Sequence, residues 1–201
     1  MREIMISIQP QWVEKILDGE KTIEIRKTMP KCELPCKVYI YCTKNEKQYF
    51  RNVKCCESLL MDSNSLGKVV AEFTLNKIDR CGEAVYDANR DLWEDWNTLG
   101  LNNSCVHPYD LEEYSNGYEI YAWHIDNLKI YDKPKELSEF YKNNYKKIID
   151  ELEFNGCDEK HCKYAVGNSF IGDDGYCDYS GCPKLKLQKP PQSWCYVEEN
   201  L

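Results

Sequence analysis

Three charged side chains in the segment Gly19–Arg26 are the residues best suited to do chemistry. Lys21, Glu24 and Arg26 place an acidic group between two basic ones within six positions. A lysine and an arginine can contact phosphate or carbonyl oxygens, and a glutamate can accept a hydrogen bond from an exocyclic amine. Such a cluster is costly to bury and unnecessary for folding. We therefore interpret it as a functional site; the alternative is a surface salt-bridge ladder that contributes little.

A short helix and a strand are expected to position this cluster. Pro10 suits the first turn of a helix, and apolar residues at helical spacing follow it. Gly19 predicts the C-terminal cap of that helix. In the strand predicted over 21–27, alternation puts two isoleucines toward a core and the glutamate and arginine on the other face. Lys21 must therefore lie at the turn, before the strand becomes regular, if all three charged groups are to converge.

A fourth charged residue interrupts a later apolar strand. Gly67 opens the segment 68–75, in which the apolar residues share one face and Glu72 stands on the other. Glu72 is a candidate hydrogen-bond acceptor or base beside the cluster. The alternative is a solvent-facing position in an alternating strand. His124 is interpreted as a structural residue rather than a catalytic base.

The last strand follows a rigid approach of two prolines. The segment Pro190–Glu198 contains Ser193 and Trp194, which are candidates to line a ligand cleft. Aromatic side chains supply a stacking face for a base. Tryptophan at such a position is also common in a hydrophobic core, so both interpretations remain open for Trp194.

Twelve cysteines in a chain without a recognisable signal peptide require an explanation. Some, such as Cys42, alternate within apolar strands and are expected to be small buried hydrophobes. A second group has the pattern Cys-x4-Cys, fourteen residues, Cys-x4-Cys, in a loop over about 155–184. Four thiolates can hold a structural zinc ion, and free thiols are the alternative. These four cysteines are Cys157, Cys162, Cys177 and Cys182.

Composition limits the classes of partner. The net charge is −8, yet residues 1–54 carry 11 basic and 7 acidic groups, so the excess of acid lies in the remainder. This balance opposes non-specific binding to duplex nucleic acid but leaves room for a local basic pocket.

Because no run of about 18 apolar residues occurs, no membrane span is predicted. We expect a cytoplasmic protein, of an oligomeric state that the sequence does not define.

The length predicts one domain over 1–201 that carries insertions. Short strands separated by turns, with two early helical pieces, favour a small mixed barrel over a doubly wound sheet. The main insertion, at about 80–117, is acidic and aromatic, with Trp93 and Trp96 predicted on a helix. A further helix is predicted from Pro134 through Leu152.

Gly19, Lys21, Glu24 and Arg26 match the signature Gly-x-Lys-x-x-Glu-x-Arg, and on these residues the chain resembles the ASCH family of PUA-like barrels. The Trp123-His124 strand and the Pro190–Trp194 segment are similar to small ASCH proteins of Firmicutes and their phages. The resemblance covers about 1–79 and 118–198. It implies an α+β fold, a PUA-like mixed β-barrel with flanking helices and loop insertions.

The resemblance also implies a function. A cleft between the first helix and the sheet would bind RNA or a modified nucleoside, with no cofactor required. One branch of the family consists of amidohydrolases that deacylate N4-acetylcytidine with a Lys, a Thr three residues later and a strand Glu. Lys21 and Glu72 match by position, whereas Glu24 replaces the hydroxyl nucleophile, so turnover would need water activated by Glu24 or Glu72. A third interpretation is a protein-interaction module that uses the insertion.

Overall fold

The structure is a computed structural model, and it describes residues 2–44, 64–81, 100–155, 165–166, 176–177 and 182–199. Within these residues the helices are α1 (Pro10–Leu17), α2 (Pro108–Ser115) and α3 (Tyr145–Asn155), with 3-10 turns at Leu101–Ser104 and Leu137–Glu139. The strands are β1 (Glu3–Ile8), β2 (Ile23–Arg26), β3 (Cys36–Cys42), β4 (Val69–Leu75), β5 (Ile78–Arg80), β6 (Tyr121–His124), β7 (Asp126–Lys135), β8 (Tyr141–Lys142), β9 (Ala165–Val166), β10 (Tyr176–Cys177) and β11 (Trp194–Glu198). None of the described helices is long and apolar enough to cross a bilayer.

Two larger sheets carry most of the strands. The six-stranded sheet has the order β7-β4-β3-β1-β11-β8, and the three-stranded sheet has the order β2-β6-β5. Within the six-stranded sheet β1 and β3 are parallel, so the chain between them must cross over, and that crossover contains α1 and β2. The predicted α+β class is confirmed. The two larger sheets do not pair with each other in the described part of the chain, so closure into a barrel stays a prediction.

The helix and turn that precede the charged cluster form as the sequence predicts. Pro10 occupies the first turn of α1, and its apolar residues are buried against the six-stranded sheet. Gly19 has φ +77°, and its N–H donates to the Ile16 carbonyl at 3.0 Å. A residue with a side chain is strained at this φ, which explains the glycine. The turn ends α1 and places Lys21 at the entrance to β2.

The core occupies both faces of the six-stranded sheet. One face packs against α1 and against Trp123 of β6, which is fully buried and links the two larger sheets. The other face is covered by the segment around Phe140, whose ring meets Tyr39 edge to face at 4.8 Å between centroids. A third cluster joins the isoleucines of β2 to α2. The strand that carries the charged cluster is therefore fixed from both sides.

The start of the helix predicted from Pro134 is wrong. Pro134 does not open a helix, because β7 continues through Lys135 before a short 3-10 turn, and α3 begins only at Tyr145. β7 lies at the edge of the six-stranded sheet, where a proline can be accommodated because one side of the strand makes no ladder hydrogen bonds. The predicted helix with Trp93 and Trp96 lies outside the described residues.

Several cysteines are buried hydrophobes, as predicted for Cys42, which has no exposed surface. Burial raises the pKa of the Cys42 thiol to about 12, and burial chiefly raises that of Cys81 to about 11. Since the thiolate is the nucleophile, these groups should be inert at neutral pH. We expect iodoacetamide at pH 8 to alkylate the partly exposed Cys105 much faster than Cys42 or Cys81, as measured by mass spectrometry. Equal rates in the native protein would contradict this, and the denatured protein is the control.

A polar network at the start of β1 predicts a dependence of stability on pH. Tyr39 Oη lies 2.8 Å from Glu3 Oε2 and 2.9 Å from Glu199 Oε2, so the two carboxylates share its one proton, and Lys135 Nζ donates to Glu199. Burial opposes ionisation of the Glu199 carboxyl, but the bonds from Lys135 and Tyr39 outweigh it and hold its pKa below the usual value. A depressed pKa in the folded state means stability that is present above the unfolded-state pKa and lost as pH falls through the folded-state value.

We therefore expect Glu199→Gln to reduce the acid-dependent part of the free energy of unfolding. The wild-type protein should lose stability below about pH 4.5, the ordinary pKa of a glutamate, and the variant should lose less over the same range. Urea unfolding at a series of pH values measures both curves. Glu113→Gln, on the exposed side of α2, is the matched control. Parallel pH curves for wild type and Glu199→Gln would contradict the assignment.

Candidate functional site

Lys21, Glu24 and Arg26 converge in one buried cluster. Lys21 Nζ lies 3.2 Å from Glu24 Oε2, and Arg26 Nη2 lies 3.0 Å from Glu24 Oε1, so one carboxylate bridges two cations. The three residues are 2%, 7% and 9% exposed. Lys21 precedes the first residue of β2, as convergence requires, and Glu24 and Arg26 share a face of the strand. The cluster is not a surface salt-bridge ladder, because its charges are out of water.

Backbone carbonyls anchor both cations. Lys21 Nζ donates to the Ser104 carbonyl at 2.6 Å, and Arg26 Nη2 donates to the Ser7 carbonyl at 2.8 Å. Arg26 Nη1 also lies 3.4 Å from Ser193 Oγ. The pairing of β2 with β6 sets the register of the strand. These contacts fix both charged groups before any ligand arrives, which lowers the entropic cost of binding one.

The cluster forms part of the wall of an open cavity of about 550 Å³, a size within the range of small-molecule sites. The lining carries three basic side chains, Lys21, Arg26 and Lys44, and two acidic ones, Glu24 and Asp110. Over the described residues the cavity is therefore locally positive, in a protein whose net charge is −8. The remaining lining residues are Ser7, Ile8, Gln9, Trp12, Ile25, Thr43, Val106, Leu111, Tyr114 and Gln192.

Helix α2 forms one side of this cavity and comes from the insertion predicted over about 80–117. Pro108 begins the helix, and His107 caps it by accepting a hydrogen bond from the Tyr109 N–H at 3.3 Å. Asp110 and Tyr114 are four residues apart, so they lie on the same side of the helix and both reach the cavity. Neither residue was predicted from the sequence. The sequence signal that could have identified them is an acidic and an aromatic residue four positions apart, just after the proline that begins the helix.

Two aromatic rings border the charged cluster. Lys21 Nζ lies 5.3 Å from the centroid of the Trp12 ring, and Lys27 Nζ lies 4.8 Å from that of Tyr114. Burial raises the pKa of the Tyr114 hydroxyl, so this group is neutral at physiological pH. Both rings line the cavity. They offer apolar faces beside positive charge, the combination that binds a nucleobase and a phosphate.

Two polar atoms at the cavity wall have no hydrogen-bond partner among the described residues. These are Arg26 Nε and Thr43 Oγ1, and both atoms are buried. A buried polar atom left without a partner costs on the order of 1–3 kcal/mol, and more when the group is charged. Both atoms have almost no accessible surface, so a ligand in the cavity could reach them only after a movement of side chains.

Glu72 does not join this cluster. It lies on β4 opposite Tyr39, accepts a hydrogen bond from Tyr131 Oη at 2.6 Å and lies 3.4 Å from Lys129 Nζ. It is absent from the lining of the 550 Å³ cavity. Because of the pairing of β4 with β7, the Glu72 side chain lies on the face of the six-stranded sheet that Phe140 covers.

Neither Ser193 nor Trp194, both predicted to line the cleft, is in the lining of the 550 Å³ cavity. Ser193 contacts Arg26, and Trp194 packs against Trp123 with ring centroids 5.8 Å apart. Thr22, a hydroxyl residue next to Lys21, is exposed and does not line the cavity. His124 Nε2 pairs with Asp79 Oδ2 at 2.8 Å, a partly exposed contact that suits a structural role.

The predicted zinc site stays a prediction. Cys157 and Cys162 lie outside the described residues, and of Cys177 only the backbone is described, in β10. Cys182 is buried among Tyr141, Tyr145 and Leu185. Across the described ranges, no group of three or more His, Cys, Asp or Glu side chains could hold a metal ion.

Comparisons with known proteins place the fold. The chain is similar to the crystal structure of ASCH from Zymomonas mobilis, with 17% identity over 98% of this chain and 88% of that one and a TM-score of 0.51. A similar match, at 16% identity over 98% and 89% with a TM-score of 0.51, is to the crystal structure of a point mutant of the same Z. mobilis protein. These likenesses show an ASCH-like fold; the finer resemblance to proteins of Firmicutes and phages stays a prediction. No protein-family model and no curated protein matches the sequence.

Proposed function

We propose that the protein binds RNA or a modified nucleoside in the 550 Å³ cavity. The observation that carries this proposal is the Arg26 guanidinium, which lines the cavity and is fixed in place by Glu24 and Ser7. Such a group is prepared to donate hydrogen bonds to a phosphate or carbonyl oxygen. The ASCH-like fold supports the same ligand class by analogy.

The remaining wall supplies the other contacts that a nucleotide needs. Trp12 and Tyr114 offer rings on which a base can stack, and Asp110 at the rim offers an acceptor for an exocyclic amine. Lys21 neutralises negative charge beside Arg26. The proposal includes a cytoplasmic location.

A titration against a panel of nucleosides, nucleotides and short RNAs tests this proposal, with N4-acetylcytidine included. Binding is followed by calorimetry and product by chromatography. We expect at least one nucleotide or RNA to bind with an affinity that falls as salt rises, because cation–phosphate contacts release counterions. Silence across the whole panel would contradict the proposal.

Amide hydrolysis of an N-acylated nucleobase is a weaker second candidate. It is favoured by Lys21, which matches the catalytic lysine of the amidohydrolase branch and lies at the cavity wall. Against it, both Glu24 oxygens already pair with cations, so neither can take a proton from water without giving up an ion pair. Product formation from N4-acetylcytidine that disappears in Lys21→Ala would favour the enzyme. A protein-interaction role for the insertion around Trp93 and Trp96 remains a separate prediction.

A further inference from the structure

Two cysteines flank a short exposed loop between β2 and β3. Cys32 is partly exposed, whereas Cys36 is the first residue of β3 and is buried, and both are free thiols. The residues between them, 33–35, are all exposed. Cys36 belongs to the core cluster on the α1 face of the six-stranded sheet, and Cys32 packs against the same cluster. The loop therefore projects into solvent while the two cysteines at its base face one part of the core.

The two thiols at the base of this loop interact with each other. Burial, the negative charge of a Cys32 thiolate and a hydrogen bond to that thiolate together raise the pKa of the Cys36 thiol to about 12, and burial is the largest of these causes. Burial also raises the pKa of the Cys42, Cys81 and Cys195 thiols, but no second cysteine contributes to theirs. Among these four thiols, Cys36 is thus the one that has another thiol beside it.

Hydrogen bonds to the last strand hold the chain that leads to Cys32. Trp194 Nε1 donates to Thr28 Oγ1 at 2.9 Å, and the Lys31 N–H donates to Tyr196 Oη at 2.7 Å. Lys31 is the residue directly before Cys32, and Cys36 is fixed in turn by the pairing of β3 with β4. Because both cysteines start from fixed positions, little movement of the chain is needed to join their sulfur atoms.

The pair consists of one accessible and one protected sulfur. An oxidant reacts with a thiolate that it can reach from solvent. Cys32 is reached in this way. Cys36 keeps its proton at neutral pH and has almost no exposed surface, so it is shielded from direct attack. An accessible cysteine beside a second cysteine is the arrangement that converts a sulfenic acid into a disulfide.

We propose that Cys32 and Cys36 form a reversible oxidation site that reacts with hydroperoxides and closes to an intramolecular disulfide. This inference goes beyond ligand binding and does not depend on it, since neither cysteine is in the lining of the 550 Å³ cavity. A dithiol reductant would return the pair to two thiols by thiol–disulfide exchange.

The oxidation takes two steps. The Cys32 sulfur attacks one oxygen of the hydroperoxide, so a sulfur–oxygen bond forms, the oxygen–oxygen bond breaks, and the other oxygen leaves with the thiol proton as an alcohol or water. The Cys36 sulfur then attacks the sulfur of the Cys32 sulfenic acid; the disulfide forms, and the hydroxyl group leaves with the Cys36 proton as water. The two electrons lost by the thiols reduce the hydroperoxide. A protonated Cys36 can take part because a neighbouring group acts at a high effective concentration.

Peptide mapping of the oxidised full chain tests the proposal, because Lys31 and Lys37 border the segment and trypsin releases 32–37 as one peptide. The protein is treated with hydrogen peroxide and dimedone, which traps sulfenic acids, and the remaining thiols are blocked with N-ethylmaleimide. We expect the peptide to be lighter by two hydrogens, dithiothreitol to restore it, and Cys42 to stay a thiol. Two free thiols in 32–37 while Cys105 is oxidised, or a dimedone adduct on Cys32 without any disulfide, would overturn the proposal.

Two variants separate the roles of the two sulfurs. In Cys36→Ala the dimedone adduct on Cys32 should increase about tenfold or more, because no neighbouring thiol competes with dimedone. In Cys32→Ser, a change at a partly exposed residue, Cys36 should stay a thiol, so the test stands even if Cys36→Ala does not fold. Cys105→Ser, at another partly exposed cysteine, is the matched control and should form the disulfide as the wild type does. Oxidation of Cys36 in Cys32→Ser, or an unchanged adduct in a folded Cys36→Ala, would overturn the proposal.

Discussion

Glu24→Gln is expected to lower the free energy of unfolding by about 3–5 kcal/mol, the usual cost of removing one partner from a buried ion pair. The substitution keeps the shape of the side chain but leaves Lys21 and Arg26 facing each other without the carboxylate that bridges them. Both side chains are largely buried, so little water can replace the lost carboxylate. Urea unfolding followed by circular dichroism measures the change.

Glu20→Gln is the matched control for this result. Glu20 pairs with Lys15 at 3.0 Å, but both side chains are well exposed, and exposed pairs contribute about 0–1 kcal/mol. If Glu24→Gln cost no more than Glu20→Gln, the cluster would be a surface ion pair in energetic terms. Its interpretation as a buried, functional cluster would then be wrong.

Arg26→Lys is expected to weaken binding of the preferred nucleotide by about tenfold to a hundredfold, the cost of losing one or more charged hydrogen bonds. Lysine keeps the charge but loses the planar fork of donors. The ammonium could replace the contact to Glu24 or to Ser7, but it could not make both contacts and also donate to a ligand in the cavity. Calorimetric titration with the nucleotide selected from the panel measures the loss.

Arg80→Lys is the control for Arg26→Lys, because Arg80 is a largely exposed arginine outside the cavity lining. It should leave the dissociation constant unchanged. Arg26→Lys should still fold, at a denaturant midpoint below that of the wild type, because one buried contact to Glu24 or Ser7 is lost. Unaltered nucleotide affinity in a folded Arg26→Lys protein would remove Arg26 from the binding site.

Local patterns were sufficient to predict the charged cluster. The Gly19 cap, the strand period of two and the position of Lys21 at the turn all depend on neighbours within a few residues. The α+β class was implied by the resemblance to the ASCH family, whereas the pattern of short strands and helices favoured a small mixed barrel. Sequence periodicity carries the physical information directly for the cap, the strand and the turn.

Residues that depend on long-range pairing could not be placed in the same way. Glu72 was assigned to the cluster by its position in an apolar strand, but the sheet packs that strand so that its carboxylate meets Tyr131 instead. Asp110 and Tyr114 reach the cavity only because the 3-10 turn at Leu101–Ser104 docks beside Lys21. A contact between residues some eighty positions apart has no signature in a local pattern.

The failure at Pro134 has a related cause. Proline followed by apolar residues at helical spacing predicts a helix start, but the same residue is tolerated at the edge of a sheet. Which of the two occurs depends on whether the strand lies at the edge, and the order of strands decides that. Strand order is a property of the whole fold and is not encoded near Pro134.

Hydrogen–deuterium exchange with and without a mixture of single-stranded RNA tetramers would test the central claim most directly, because it reports where a ligand binds. We expect slower exchange in 21–26, 43–44 and 108–115, the segments that surround the 550 Å³ cavity. We expect little change in 126–135, the strand that carries the partners of Glu72. Protection confined to that strand, or none in the cavity segments at saturating RNA, would contradict the assignment of this cavity as the binding site.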